Sequence, residues 1–254
     1  MRAGLYLAVR LYLRLYALSL SVSLLMPFFA LLFYAAGWVV SRGKADIEKF
    51  VYQLVGVVIA VIAQIATSEA LWDLYIFMSG GQLEYLIASP SYPLAVLMAF
   101  YVTQFMFFGL GVAVTAAVVL AVIKGPVYAA AMTLAVLTAA IFSLPLLGIA
   151  LALTYLLPYV RNPGPLSSVL NAAVMFFGGA LYPASILPGA LQAISHLLPF
   201  ATWAEAVRSL ALALELPIRL LGPLLGYMAY FALGVVVWNF YVRSLQRSGR
   251  YHVW

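Results

Sequence analysis

Long uncharged apolar stretches, each closed by a charge or by a turn rich in proline and glycine, dominate the pattern along this chain. A helix needs roughly 20 apolar residues to cross a hydrocarbon core about 30 Å thick. Six stretches are of this order, at about 15–41, 50–68, 94–123, 127–157, 165–182 and 220–242. Lys124-Gly125-Pro126 separates the third from the fourth, and Asn162-Pro163-Gly164-Pro165 opens the fifth. Between the fifth and sixth, residues 183–217 break the pattern. Ile186–Leu198 is apolar but too short, hemmed in by Pro183, the Leu187-Pro188 pair and Pro199. Phe200–Leu216 carries Glu205, Arg208 and Glu215, each of which would cost about 2.5–3.5 kcal/mol at the centre of a bilayer. These two pieces are predicted to be short helices forming a re-entrant hairpin that dips in from one side. Glu205 and Arg208, three residues apart, are expected to pair locally.

The N-terminus adds an interfacial helix over residues 4–14. Arg10 and Arg14 share a face there, and Tyr6, Tyr12 and Tyr16 suit the headgroup level. The uncharged run behind them is too long for the core of a cleavable signal peptide. The expected fold is therefore an all-α integral membrane protein. It is a single transmembrane domain over 1–254 with six transmembrane helices, an N-terminal interfacial helix and the re-entrant hairpin.

Composition agrees with that architecture. Of 254 residues, 67% are hydrophobic and 8% charged, where a soluble domain is about a quarter charged. A soluble enzyme, a nucleic-acid-binding domain and a disordered chain are excluded. Thirteen basic against seven acidic residues give a net charge of +6, and position matters more than the sum. Arg2, Arg10 and Arg14 precede the first span, and Arg243, Arg247 and Arg250 follow the last. Both termini are therefore expected in the cytoplasm of a multi-pass protein of the cell membrane. Two internal loops run against the rule: Glu69–Pro93 has three acids and no base, and Arg42–Lys49 has three bases.

The inventory of reactive groups is poor. With no cysteine there is no disulfide and no thiolate metal site. Arg42-Gly43-Lys44-Ala45 lacks the spacing and the hydroxyl of a phosphate-binding loop. His196 and His252 have no partner at ligand spacing, and no nucleophile elbow or zinc-binding helix motif occurs. No catalytic residue and no metal ligand is expected, and no cofactor in the chain itself. The six stretches hold only neutral polar groups such as Gln64, Thr103, Gln104 and Asn171. Ion-coupled carriers keep titratable groups at mid-membrane, so a transporter of this composition would draw its energy from a partner subunit.

The loop at 79–93 is the most informative segment. Gly80-Gly81 and Pro90 bracket a short helix in which Leu83, Leu86 and Ile87 make an apolar stripe and Glu84 points away. Two uses fit such a helix: lying on the bilayer, or docking in a groove of a cytosolic protein. Glu69 and Asp73 lie one turn apart on the cytoplasmic extension of the second span and are expected to pair with Arg10 or Arg14, or to be solvated.

Gly81-Gln82-Leu83-Glu84-Tyr85-Leu86-Ile87-Ala88-Ser89-Pro90 is similar to a stretch that follows the second span in the membrane subunits of type-2 ATP-binding-cassette (ABC) transporters, the exporter-like permeases. Phe177-Gly178-Gly179-Ala180-Leu181-Tyr182-Pro183, then Leu187-Pro188, Pro199 and Arg208, resemble that family's pattern after the fifth span. The resemblance covers nearly the whole chain. It implies that Leu83, Glu84, Tyr85, Leu86, Ile87, Ser89 and Pro90 form a coupling helix pressed on a cytosolic nucleotide-binding ATPase, which would hold the ATP and Mg. It also implies a second permease copy or paralogue, a substrate path at their interface, and an outer cap formed by the re-entrant segment. Asn171, Met175, Phe176 and Phe177 are candidates for the pathway or its gate. The function expected is export of a hydrophobic or amphipathic substrate, with lipids and the ATPase as partners and no nucleic acid. The alternative is a six-span solute-binding module or receptor not coupled to ATP.

Overall fold

A computed structural model describes residues 46–88, 93–160, 162–180 and 182–248, with Tyr6, Val9, Arg10, Ser21, Leu24 and Leu25. Most of the expected span at 15–41, Arg14 and most of the interfacial helix lie outside the described residues, as do Ser89 and Pro90. Among the described residues the fold is all helical, and four helices are long and apolar enough to cross a membrane.

The first of these, α1, runs Ile47–Ser79. Asp46 starts it: its carboxylate accepts from the backbone N–H groups of Glu48 at 3.0 Å and Lys49 at 3.3 Å, supplying acceptors that the first turn lacks. The helix does not stop at Ser68. Its 33 residues reach about 50 Å, so Glu69 and Asp73, expected on an extension of the span, lie within one continuous helix. At its far end the chain reverses through Gly80-Gly81, with Gly81 at φ +67°, a left-handed conformation that a side chain would strain. A short helix follows, α2 (Gln82–Ala88).

Helices α3 (Leu94–Ile123) and α4 (Pro126–Val160) match the third and fourth expected spans. α4 bends at Ser143, just before Pro145. The Ala140 carbonyl at that bend accepts from the Tyr101 hydroxyl at 2.7 Å and from the Ser143 hydroxyl at 2.9 Å. Inside a bilayer a freed carbonyl must be satisfied by protein, and here a tyrosine from α3 does so. The fifth stretch is shorter than expected: α5 is Gly164–Phe177, 14 residues or about 21 Å, and gives way at Gly178-Gly179 instead of continuing to Tyr182.

Two short helices occupy the 183–217 segment, α6 (Gly189–Leu197) and α7 (Phe200–Arg208), the latter followed by a π turn over Ser209–Ala213. At nine residues each, about 14 Å, α6 and α7 are too short to cross a bilayer. The last helix, α8, is Ile218–Ser248.

α1 is the hub. Leu54, Val58, Ile59 and Ile62 are buried with Ala116 and Leu120 of α3, Met132 and Val136 of α4, and Trp203 of α7. The Trp203 indole donates to the Ala139 carbonyl at 3.2 Å, fastening α7 to α4. Between lipid-embedded helices the hydrophobic effect gives little drive, and close packing through small residues takes its place. Gly148 of α4 and Gly234 of α8 lie back to back, so that a Cβ on either would overlap the other helix's backbone. α4 packs more extensively on α8 than any other pair of elements does among the described residues.

Candidate functional site

Three places along α1 collect the chain's polar chemistry: α2 beyond its C-terminal end, a polar layer around its π turn, and a cavity near its N-terminal end.

α2 is fastened to the rest of the chain by its apolar stripe. Leu83 is 1% exposed and belongs to the core that contains Phe77 and Met78, and Ile87 packs against the same core. Outward face Gln82, Glu84 and Tyr85, the last 79% exposed. Leu83 thus anchors α2 to α1, and the surface that α2 offers to a partner is its polar and aromatic side.

The polar layer surrounds a π turn at Ile65–Glu69, a local unwinding of the kind often found where helices carry function. The Ser68 hydroxyl and the Asn171 amide oxygen of α5 are 2.6 Å apart. The Gln64 amide donates to Glu69 at 3.4 Å, and the Gln104 amide of α3 donates to Asp73 at 3.0 Å. α3 has its own π turn, Phe105–Gly109, immediately after Gln104. The observed partners of the two acids are therefore glutamines; Arg10 is exposed, and Arg14 lies outside the described residues. The sequence sets Glu69 and Asp73 on a cytoplasmic extension of the second span and points to arginines as their partners, which leaves this layer out. Gln64 and Gln104, each inside an uncharged run, were its visible signal.

The pathway candidates sit along α5. Asn171 and Met175 are half-buried, Phe176 is 60% exposed, and Phe177 is half-buried. The Phe177 carbonyl accepts from Ser195 of α6, and the Phe176 carbonyl accepts from Tyr182 at 3.2 Å, so both ends of the Phe-Phe pair are tied to the segment that follows.

At the other end of α1, Arg208 joins three elements. Its Nη2 donates to the Ala180 carbonyl at 2.9 Å, and its guanidinium lies 4.0 Å from the centroid of the Tyr52 ring, a cation–π contact. The Tyr52 hydroxyl donates to the Gly179 carbonyl at 3.4 Å. Gly56 permits the approach, because a Cβ there would overlap the Ala180 carbonyl. The hydrogen bond of Arg208 goes to a backbone carbonyl, while Glu205, its expected local partner, is exposed one turn away. Nearby, the Gln192 amide donates to the Leu187 carbonyl at 2.7 Å and Pro188 precedes α6, while Pro183 is exposed and Pro199, buried, precedes α7.

Long apolar helices packed through glycines define a multi-pass α-helical membrane protein. The chain belongs to the ABC-2 type transporter family, whose sequence model matches residues 5–212. It is thus an ABC transporter permease, the membrane component of a type-2 system, and membership of the family implies a partner ATP-binding subunit. No curated protein matches the sequence significantly.

Proposed function

We propose that this permease exports a hydrophobic or amphipathic substrate, driven by a nucleotide-binding ATPase that docks on α2. The observation that carries the reading is α2 itself. It is a rigid helix held to the end of α1 by Leu83 and Ile87, with Gln82, Glu84 and Tyr85 turned outward. Closure of the ATPase on ATP would push that surface, and burial of Leu83 would pass the push to α1. The polar layer at the π turn, where α1 meets α3 and α5, is where a shift in α1 would be felt. The permease works as a pair, with Asn171, Met175, Phe176 and Phe177 of α5 beside the path and the 183–217 segment capping the outer side. Both termini face the cytoplasm of the cell membrane, a placement supported by the arginines that flank the first and last spans.

The test is co-purification in detergent with the co-expressed cognate ATPase. Glu84→Arg and Tyr85→Asp are expected to weaken the complex by about tenfold or more, a loss of about 1.4 kcal/mol, while leaving the permease monodisperse. An ATPase retained at wild-type stoichiometry by both variants would refute docking on α2.

A further inference from the structure

The cavity beside Arg208 has a volume of about 540 Å³, within the range of small-molecule sites. Tyr52, Gln192, His196, Glu205, Arg208 and Ser209 contribute its polar lining. Two features of that lining specify a ligand. The first is a cation whose hydrogen bond and ring contact go to neutral groups. The guanidinium is fixed by the Ala180 carbonyl and the Tyr52 ring, and its Nε is buried without an acceptor. The second is a carboxylate one helical turn away. Glu205 is exposed, lines the same cavity, and is its one acidic side chain among the described residues.

Residues three apart on a helix stand about 5–6 Å from each other at Cβ. The wall therefore presents one positive and one negative group side by side. A ligand bearing only negative charge meets Glu205, and one bearing only positive charge meets Arg208. A group carrying an acid and an ammonium joined by a short link satisfies both. The opposite face of α7, with Trp203, Ala206 and Val207, and Leu210 of the π turn after it line a separate apolar cavity of about 270 Å³. Polar recognition is thereby confined to the Arg208 side of this helix.

We infer that this cavity is a binding site for a zwitterionic phosphoethanolamine-type headgroup, its phosphate on Arg208 and its ammonium on Glu205. The same chemistry is found at the end of a phospholipid and in a free soluble molecule, and the experiment separates the two. Full-length protein in an uncharged glycosidic detergent is titrated, at one pH, with dihexanoyl phosphatidylethanolamine, dihexanoyl phosphatidylglycerol or free phosphoethanolamine, and binding is read by native mass spectrometry. Wild type is expected to bind the zwitterionic lipid at least fivefold more tightly than the anionic one. Glu205→Gln, an exposed change that leaves the Arg208 contacts intact, is expected to erase that preference. Arg208→Gln is expected to weaken both lipids. Phosphoethanolamine binding as tightly as the lipid would keep the site and make its ligand a soluble one. Equal binding of the two lipids by wild type, no binding of any probe, or an unchanged preference in Glu205→Gln would each overturn the inference, even if Arg208→Gln fails to fold.

Discussion

Gly56 and Leu214 show how single residues decide what the backbone can do here. At Gly56 the end of α5 approaches α1 so closely that the Ala180 carbonyl occupies the space of a side chain. Gly56→Ala must push α1 away from the Gly179–Ala180 segment or displace Arg208, and overpacking of this kind costs roughly 1–3 kcal/mol. A lowered apparent melting temperature in detergent is the expected result, and an unchanged one would show that the junction yields. Leu214 ends the π turn after α7 at φ +58°, a left-handed conformation that costs an L-residue roughly 1–2 kcal/mol. Its side chain is exposed and packs little. Leu214→Gly is therefore expected to raise the apparent melting temperature, part of the gain being offset by the greater freedom of glycine in the unfolded chain.

At the scale of elements, the pairing of α1 with α3 and the seating of α2 on α1 are the contacts that matter for transmission. The Gln104–Asp73 hydrogen bond ties α3 to α1 beside the π turn that each helix carries. A double-mutant cycle on Asp73→Ala and Gln104→Ala should return a coupling of about 0.6–1.7 kcal/mol, the range for hydrogen bonds between membrane helices. Strictly additive effects would mean that the two side chains do not act together. Leu83→Ala removes the anchor of α2, and truncating a buried leucine costs about 2–5 kcal/mol. If Leu83 passes the motion, this variant should still retain the ATPase on the outward face yet lose most transport in vesicles. Transport undiminished with α2 loosened would assign the coupling elsewhere.

For the whole molecule, the scarcity of charge remains the leading fact, and the structure alters where the few charges act. The sequence pattern located α3 and α4 closely, because each is bounded by a turn that a long apolar helix cannot absorb, whereas α8 takes in Arg219, Arg243 and Arg247 and runs on to Ser248. The pattern ended the second span at Ser68 and set Glu69 and Asp73 on a cytoplasmic extension of it, because two acids look costly in a span when their partners are unknown. Glutamines from the same and the neighbouring helix make them tolerable within a helix, and that pairing is a property of packing. It also extended the fifth helix too far, since an apolar run to Tyr182 gives no sign that the chain turns at Gly178-Gly179 to hand carbonyls to Tyr52 and Arg208. The helix at 82–88 was legible from its glycines, its apolar stripe and its prolines. Which side of it faces outward was not, because an apolar stripe looks the same whether it grips a partner or its own core.

The amino-acid sequence by itself therefore determined the solvent in which this protein folds, its all-helical class and its family, since these depend on composition, period and local motif. Only the tertiary structure decided that Leu83 is an anchor, that Asp73 is held by Gln104, and that Arg208 is clasped by Tyr52 and Ala180 beside an open cavity. Each of these contacts joins residues whose meeting is set by how helices pack across the bundle, and helix packing depends on small residues and backbone approach that no local pattern records.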